Sequence, residues 1–223
     1  MNRNDLFTRD KYVLLDGGMG TMLQARGLKL GARPELLSIT EPEMLTGIHR
    51  EYVQAGADII YANTFGASAK KLEGSGHSVA QVISASLACA RRAVQGTGAL
   101  VALDVGPLGE LLEPAGTLKF EDAYRCFQEI VIAGAQADVI VVETMTDLYE
   151  VKAAILAAKE NSTLPILASM SFEAGGRTFT GCTVESFGVT ARGLGANAVG
   201  INCSCGPEQL VSLVRNMKKS AAR

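Results

Sequence analysis

The chain lacks any concentration of positive charge. Its 21 Lys and Arg against 23 Asp and Glu leave a net charge of −2, and the cations are scattered, with short pairs at 70–71, 91–92 and 218–219. A nucleic-acid partner calls for a basic face, so that class is set aside. Long apolar runs are missing too: none approaches the roughly 18 residues of a membrane span. The N-terminal MNRNDLFTRDKYVLL has neither the apolar core nor the small-residue cleavage site of a secretory signal. A cytoplasmic protein with no membrane partner is expected. Histidine is scarce, with His49 inside a helical segment and His77 in a polar loop. Both are expected to be solvated, which leaves no local histidine metal site. No serine stands in G-x-S-x-G, the elbow of many hydrolases. The five cysteines form an odd set without small-scaffold spacing, pointing to buried thiols or metal ligands before disulfides.

What the sequence does contain is a recurring phrase. AGADIIYANTF (55–65), AGAQADVIVVETM (133–145) and LGANAVGINCS (194–204) each end a helix-like segment in Gly-Ala, add Asp or Asn, and enter an apolar run. A glycine at a helix C-terminus followed by a β-branched run marks a helix handing over to a strand buried on both faces. Strands are expected at 13–16, 59–63, 100–104, 139–143, 166–170 and 198–203, each followed by a helix, giving a parallel α/β protein. Helices are expected at 120–134, at 148–159 behind an Asp147/Glu150 capping box, and at 208–219. No linker interrupts residues 1–223, which read as a single domain. An open doubly wound sheet and a closed eight-fold barrel both fit this alternation. In LLDGGMGTMLQ the third glycine of a dinucleotide fingerprint is absent and Asp16 would repel a pyrophosphate, so nucleotide binding is disfavoured.

If the strands are parallel, their C-terminal ends share one face, where a barrel enzyme keeps its chemistry. Those ends read Asp16 with its glycines, Asn63-Thr64, Asp104 with Gly106, Glu143-Thr144, Ser169 with Ser171, and Asn202-Cys203. Strand ends enter polar loops in any case, so the set carries more weight than any one position. Cys203 and Cys205 supply two metal donors at most, where zinc takes three or four. Cys182 follows the fifth expected strand near the same rim, while Cys89 and Cys126 lie on helix faces that read as packed.

The motifs LLDGGMGTMLQ, YANTFGAS, GPLGELLEP, VVETMTDLYE and GINCSCGP, in that order, resemble the homocysteine-binding domain of cobalamin-dependent methionine synthases, and more distantly the wider homocysteine methyltransferase family. The likeness runs from about residue 10 to about residue 219. It implies a (β/α)8 TIM-barrel fold, of which about six of the eight βα units are present. It further implies zinc held by three cysteines: one matching Cys203, and an adjacent Cys-Cys pair from the last barrel unit. Cys205 has no counterpart among those ligands. Asp16, the backbone of Gly17 and Gly18, Asn63 and Glu143 would line the homocysteine pocket, with Glu143 pairing with the substrate ammonium. The implied reaction moves a methyl group to a zinc-activated homocysteine thiolate to give methionine, with methylcobalamin, bound outside this chain, as donor.

The segment that would carry the Cys-Cys pair is not found before SAAR at 220–223. The domain is therefore expected to be C-terminally incomplete, with a second chain or a missing segment as partner. Unpaired strand edges would make it a poorly behaved monomer. Two alternatives stand beside the methyltransferase: an inactive remnant or amino-acid-binding module without zinc chemistry, and an unrelated six-unit α/β protein.

Overall fold

A computed structural model describes residues 6, 12–29 and 31–221. Helix α1 (Met19–Ala25) is followed by a 3-10 turn (Pro34–Leu36), α2 (Leu37–Thr40) and α3 (Pro42–Gln54). Strands and helices then alternate: β1 (Ile59–Tyr61), α4 (Val79–Val94), β2 (Leu100–Val105), α5 (Phe120–Ala133), β3 (Val139–Met145), α6 (Leu148–Asn161), β4 (Ile166–Met170), α7 (Val184–Gly193), β5 (Ala198–Ile201) and α8 (Pro207–Ala221). The five strands form one parallel sheet in sequence order. This is the α/β arrangement of a TIM-type barrel left open. Among the described residues β5 has no strand on its outer side, and it is half-exposed along its length.

The sheet is buried because alternate side chains feed two cores, as the period of a strand requires. Ile60, Val101, Leu103, Ile140, Val142 and Ala168 point into the helix layer and meet Phe127 and Phe187. Ile59, Leu100, Ala102, Val139 and Val141 form a smaller inner cluster on the concave side. Among the described residues no helix is long and apolar enough to cross a membrane.

The recurring phrase has a physical explanation. Its Asp or Asn accepts from a backbone N–H at the start of the preceding strand segment: Leu14 to Asp58 at 3.0 Å, Val101 to Asp138 at 2.8 Å, Ile166 to Asn197 at 2.9 Å. The glycines serve different ends. Gly56 and Gly195 have φ of +102° and +95°, which only glycine adopts cheaply. Gly134 has an ordinary φ of −87°; it is needed because a Cβ there would collide with the Leu103 side chain.

Several expectations are corrected. The strand at 13–16 is reduced to a single parallel bridge, Leu15 to Ile59, because side chains take over the ladder on either side of it. Asp58 receives the Leu14 N–H and Asp16 Oδ2 receives the Tyr61 N–H at 2.9 Å. β1 stops at Tyr61, where Asn63 turns to Pro34, and β5 stops at Ile201, where Cys203 adopts φ +46°. Asp147 caps α6 through the Tyr149 N–H, but Glu150 does not complete the box: it accepts instead from the Leu108 N–H at 2.7 Å. His49 is not solvated. It sits beside Leu45 and Ile48 on the buried stripe of α3 with neither ring nitrogen hydrogen-bonded, and burial lowers its pKa to about 4.

Candidate functional site

The C-terminal ends of the strands surround a cavity of about 490 Å³. Asp16, Gly17, Gly18, Asn63, Glu143 and Cys203, drawn from four separate stretches of sequence, all line it. Each is aimed by a local departure from regular structure. Asp16 follows the Leu15 bridge, and its carboxylate is fixed by the Tyr61 N–H. Asn63, buried after β1, donates from Nδ2 to the Pro34 carbonyl at 2.7 Å and pins the 3-10 turn against the cavity. Glu143 stands where the β3–β4 register shifts between Val142 and Met145, next to Thr144 at φ +59°. Such a bulge re-aims side chains that a regular strand would send elsewhere. Cys203 is exposed at the end of β5.

Glu35, Asp104 and Asn202 also line the cavity. Asp104 and Asn202 were visible as polar strand ends, whereas Glu35 lies in the 3-10 turn and gave no signal. Glu35 Oε1 accepts from the Gly66 N–H at 2.8 Å, and a side chain at Gly66 would run into that carboxylate. Asp104 is buried, with Oδ1 lacking a hydrogen-bond partner. Asn202 donates to Glu143 Oε2 at 2.8 Å.

The cavity is consequently short of positive charge. Burial raises the Asp16 pKa to about 7 against the opposing hydrogen bond from Tyr61, with the Glu143 charge adding to the rise. Burial pushes Asp104 well above the usual carboxylate range, and Glu143, Asp16 and Glu35 push it further, while Lys71 acts against them. Burial also raises Glu143. Lys71 is itself engaged, donating to the Pro107 carbonyl at 2.6 Å with its ammonium 5.4 Å from the Phe65 ring centre. Half-buried carboxylates that resist ionisation favour a ligand cation that restores their charge.

The sequence from residue 13 to residue 223 matches the profile of the homocysteine S-methyltransferase family. The chain belongs to that family. As a homocysteine S-methyltransferase family member it is 31% identical over 234 residues to a methionine synthase of Mycobacterium tuberculosis, and 28% identical over 238 residues to one of Mycobacterium leprae. Each alignment covers 95% of this chain but 19% of the relative, so the chain spans about a fifth of their length. Its fold is similar to that of the homocysteine methyltransferase MmuM from Escherichia coli. The metallated form superposes with a TM-score of 0.79 at 24% identity, covering 93% of this chain and 80% of that one. The oxidised form gives 0.76 at 25% identity, covering 91% and 77%.

Zinc in a protein site takes three or four ligands. Among the described residues no group of three or more His, Cys, Asp or Glu side chains is placed to hold a metal ion. Cys205 packs against the core, and the Cys182 thiol donates to the Thr183 carbonyl at 3.3 Å; neither lines the cavity. Cys203 is thus a single thiol at the cavity, and the described residues do not by themselves fit a zinc centre.

Proposed function

We propose that this chain is the homocysteine-binding part of a cytoplasmic homocysteine S-methyltransferase of the methionine synthase type, residues 1–223 acting as one domain. The observation that carries the reading is the meeting of an exposed thiol, Cys203, with the half-buried carboxylates of Asp16 and Glu143 in one cavity of a family member. Homocysteine presents an ammonium that complements the carboxylates, and a thiol that would lie toward Cys203. Asp16 and Glu143 would hold the ammonium, while the Gly17–Gly18 main chain and Asn63 form the wall beside it. Fixing the amino-acid end at two charged hydrogen bonds orients the sulfur, which is the contribution these residues make to a methyl transfer.

Zinc and methylcobalamin belong to the same proposal and rest on the family resemblance. Cys203 would be one zinc ligand, and a Cys-Cys pair from a second chain or a further segment would supply the others. Zinc keeps a thiol deprotonated near neutral pH. Methylcobalamin would be held outside this chain. The incomplete donor set favours one second reading, an amino-acid-binding module without zinc chemistry.

Calorimetric titration of L-homocysteine, with zinc measured per chain, separates the two. Asp16→Asn and Glu143→Gln are each expected to weaken binding about tenfold or more, the scale of a charged hydrogen bond. Near-stoichiometric zinc that disappears in Cys203→Ala supports the methyltransferase, and a zinc-free chain that still binds L-homocysteine supports the module. Absence of L-homocysteine binding overturns both.

A further inference from the structure

The side chain of Asn202, one residue beyond β5, is fully engaged by its neighbours. Its Oδ1 accepts from the Thr144 N–H at 3.0 Å and the Ser169 hydroxyl at 2.9 Å. Its Nδ2 donates to Glu143 Oε2 at 2.8 Å and Thr144 Oγ1 at 2.7 Å. A single carboxamide therefore joins the ends of β3, β4 and β5. Its main chain is tied as well: the Asn202 N–H donates to the Met170 carbonyl at 3.3 Å, and its carbonyl accepts from the Ser171 and Ser204 hydroxyls at 3.0 and 2.9 Å.

Two non-glycine residues among those described have left-handed backbone, Thr144 at φ +59° and Cys203 at φ +46°. Such conformations cost energy and persist only where the surroundings over-determine them. Asn202 touches both: it bonds the Thr144 N–H and hydroxyl, and its Nδ2 lies 3.6 Å from the Cys203 sulfur as donor.

We propose that Asn202 is a positioning residue that holds the Glu143 carboxylate toward the cavity and fixes the left-handed turn that sets Cys203 there. The proposal rests on the reading of Glu143 as the partner of the substrate ammonium. A carboxamide suits the position because it accepts on one side, from an N–H and a hydroxyl, and donates on the other, to an anion. A carboxylate in its place would keep the accepting side and set like charges against each other at Glu143.

The test titrates L-homocysteine and 4-sulfanylbutanoic acid, which lacks only the amine, into the chain and into Asn202→Asp and Asn202→Ala. A positioning role weakens L-homocysteine tenfold or more in Asn202→Asp and several-fold in Asn202→Ala, while the amine-free acid changes less than twofold. Equal weakening of both ligands, or of neither, overturns the proposal. A second measurement needs neither ligand nor an Asn202 variant: the side-chain NH2 resonances of Asn202 should move on Glu143→Gln, and unchanged resonances overturn the clamp. Should the chain bind no L-homocysteine, the substrate reading falls, and this NMR comparison alone decides whether Asn202 holds residue 143.

Discussion

L-Homocysteine should bind more tightly as the pH rises from 5.5 to 7.5. Burial raises Asp16 to about 7, and Glu143 adds to the rise. Below that value the site holds a proton, and an ammonium that pairs with ionised Asp16 must displace it. For one group with a pKa of about 7, the ionised fraction is about 0.03 at pH 5.5 and about 0.75 at pH 7.5. The dissociation constant should therefore fall about 25-fold across the window, worth about 2 kcal/mol. Glu143 and Asp104, both shifted upward by burial, steepen the dependence. A ligand thiol with an ordinary pKa of about 8.5 stays largely protonated throughout. Calorimetry in two buffers of different ionisation enthalpy should register about one proton released per ligand near pH 6. The stability sign follows from the same shift. A carboxyl raised on folding contributes stability that is fully present below its unfolded value and is lost as the pH rises through the folded one. The unliganded chain should thus lose this contribution between about pH 4 and pH 7, and ligand should restore part of it. An affinity independent of pH, with no proton released, would refute the reasoning.

Other expectations concern the scaffold. His49 is neutral when folded, so stability should fall as the pH drops from 6.5 through about 4, by about 3 kcal/mol in full; His49→Leu should flatten that slope in urea melts at pH 7 and pH 4.5, and an unchanged slope would count against it. Asp138→Ala leaves the Val101 N–H without its acceptor and breaks the pair with Arg91, so it should cost about 1–3 kcal/mol in urea unfolding, whereas Asp138→Asn should recover most of this. Gly134→Ala should lower stability by about 1–3 kcal/mol through collision with Leu103, measured as a drop in melting temperature, despite the usual helix preference for alanine.

The strands β2 and β3 are legible because their buried stretches read as apolar runs up to Asp104 and Glu143; β4 is buried on alternate residues and is legible as a short run between two helical segments. The first strand is only partly legible: LLD has the composition of a strand, but Asp58 and Asp16 use side chains where a ladder would use backbone. The burial of His49 is not legible from composition, because a lone polar residue in a helical segment suggests a solvated face, although its spacing from Leu45 puts it on the apolar stripe. In the cavity, Asp16, Asn63, Glu143 and Cys203 were found as strand-end residues, and the family resemblance distinguished them from the rest. Asn202 was visible at the same level, but its role depends on three strand ends meeting, which no local pattern encodes. Glu35 approaches from a turn whose packing on Asn63 is purely tertiary.

The most direct measurement is a crystal structure of this chain soaked with L-homocysteine. The expected result places the ligand ammonium within hydrogen-bond distance of Asp16 and Glu143, the carboxylate beside Gly17 and Gly18, and the sulfur toward Cys203. A ligand bound elsewhere, or one whose amino group avoids both carboxylates, would contradict the proposed site.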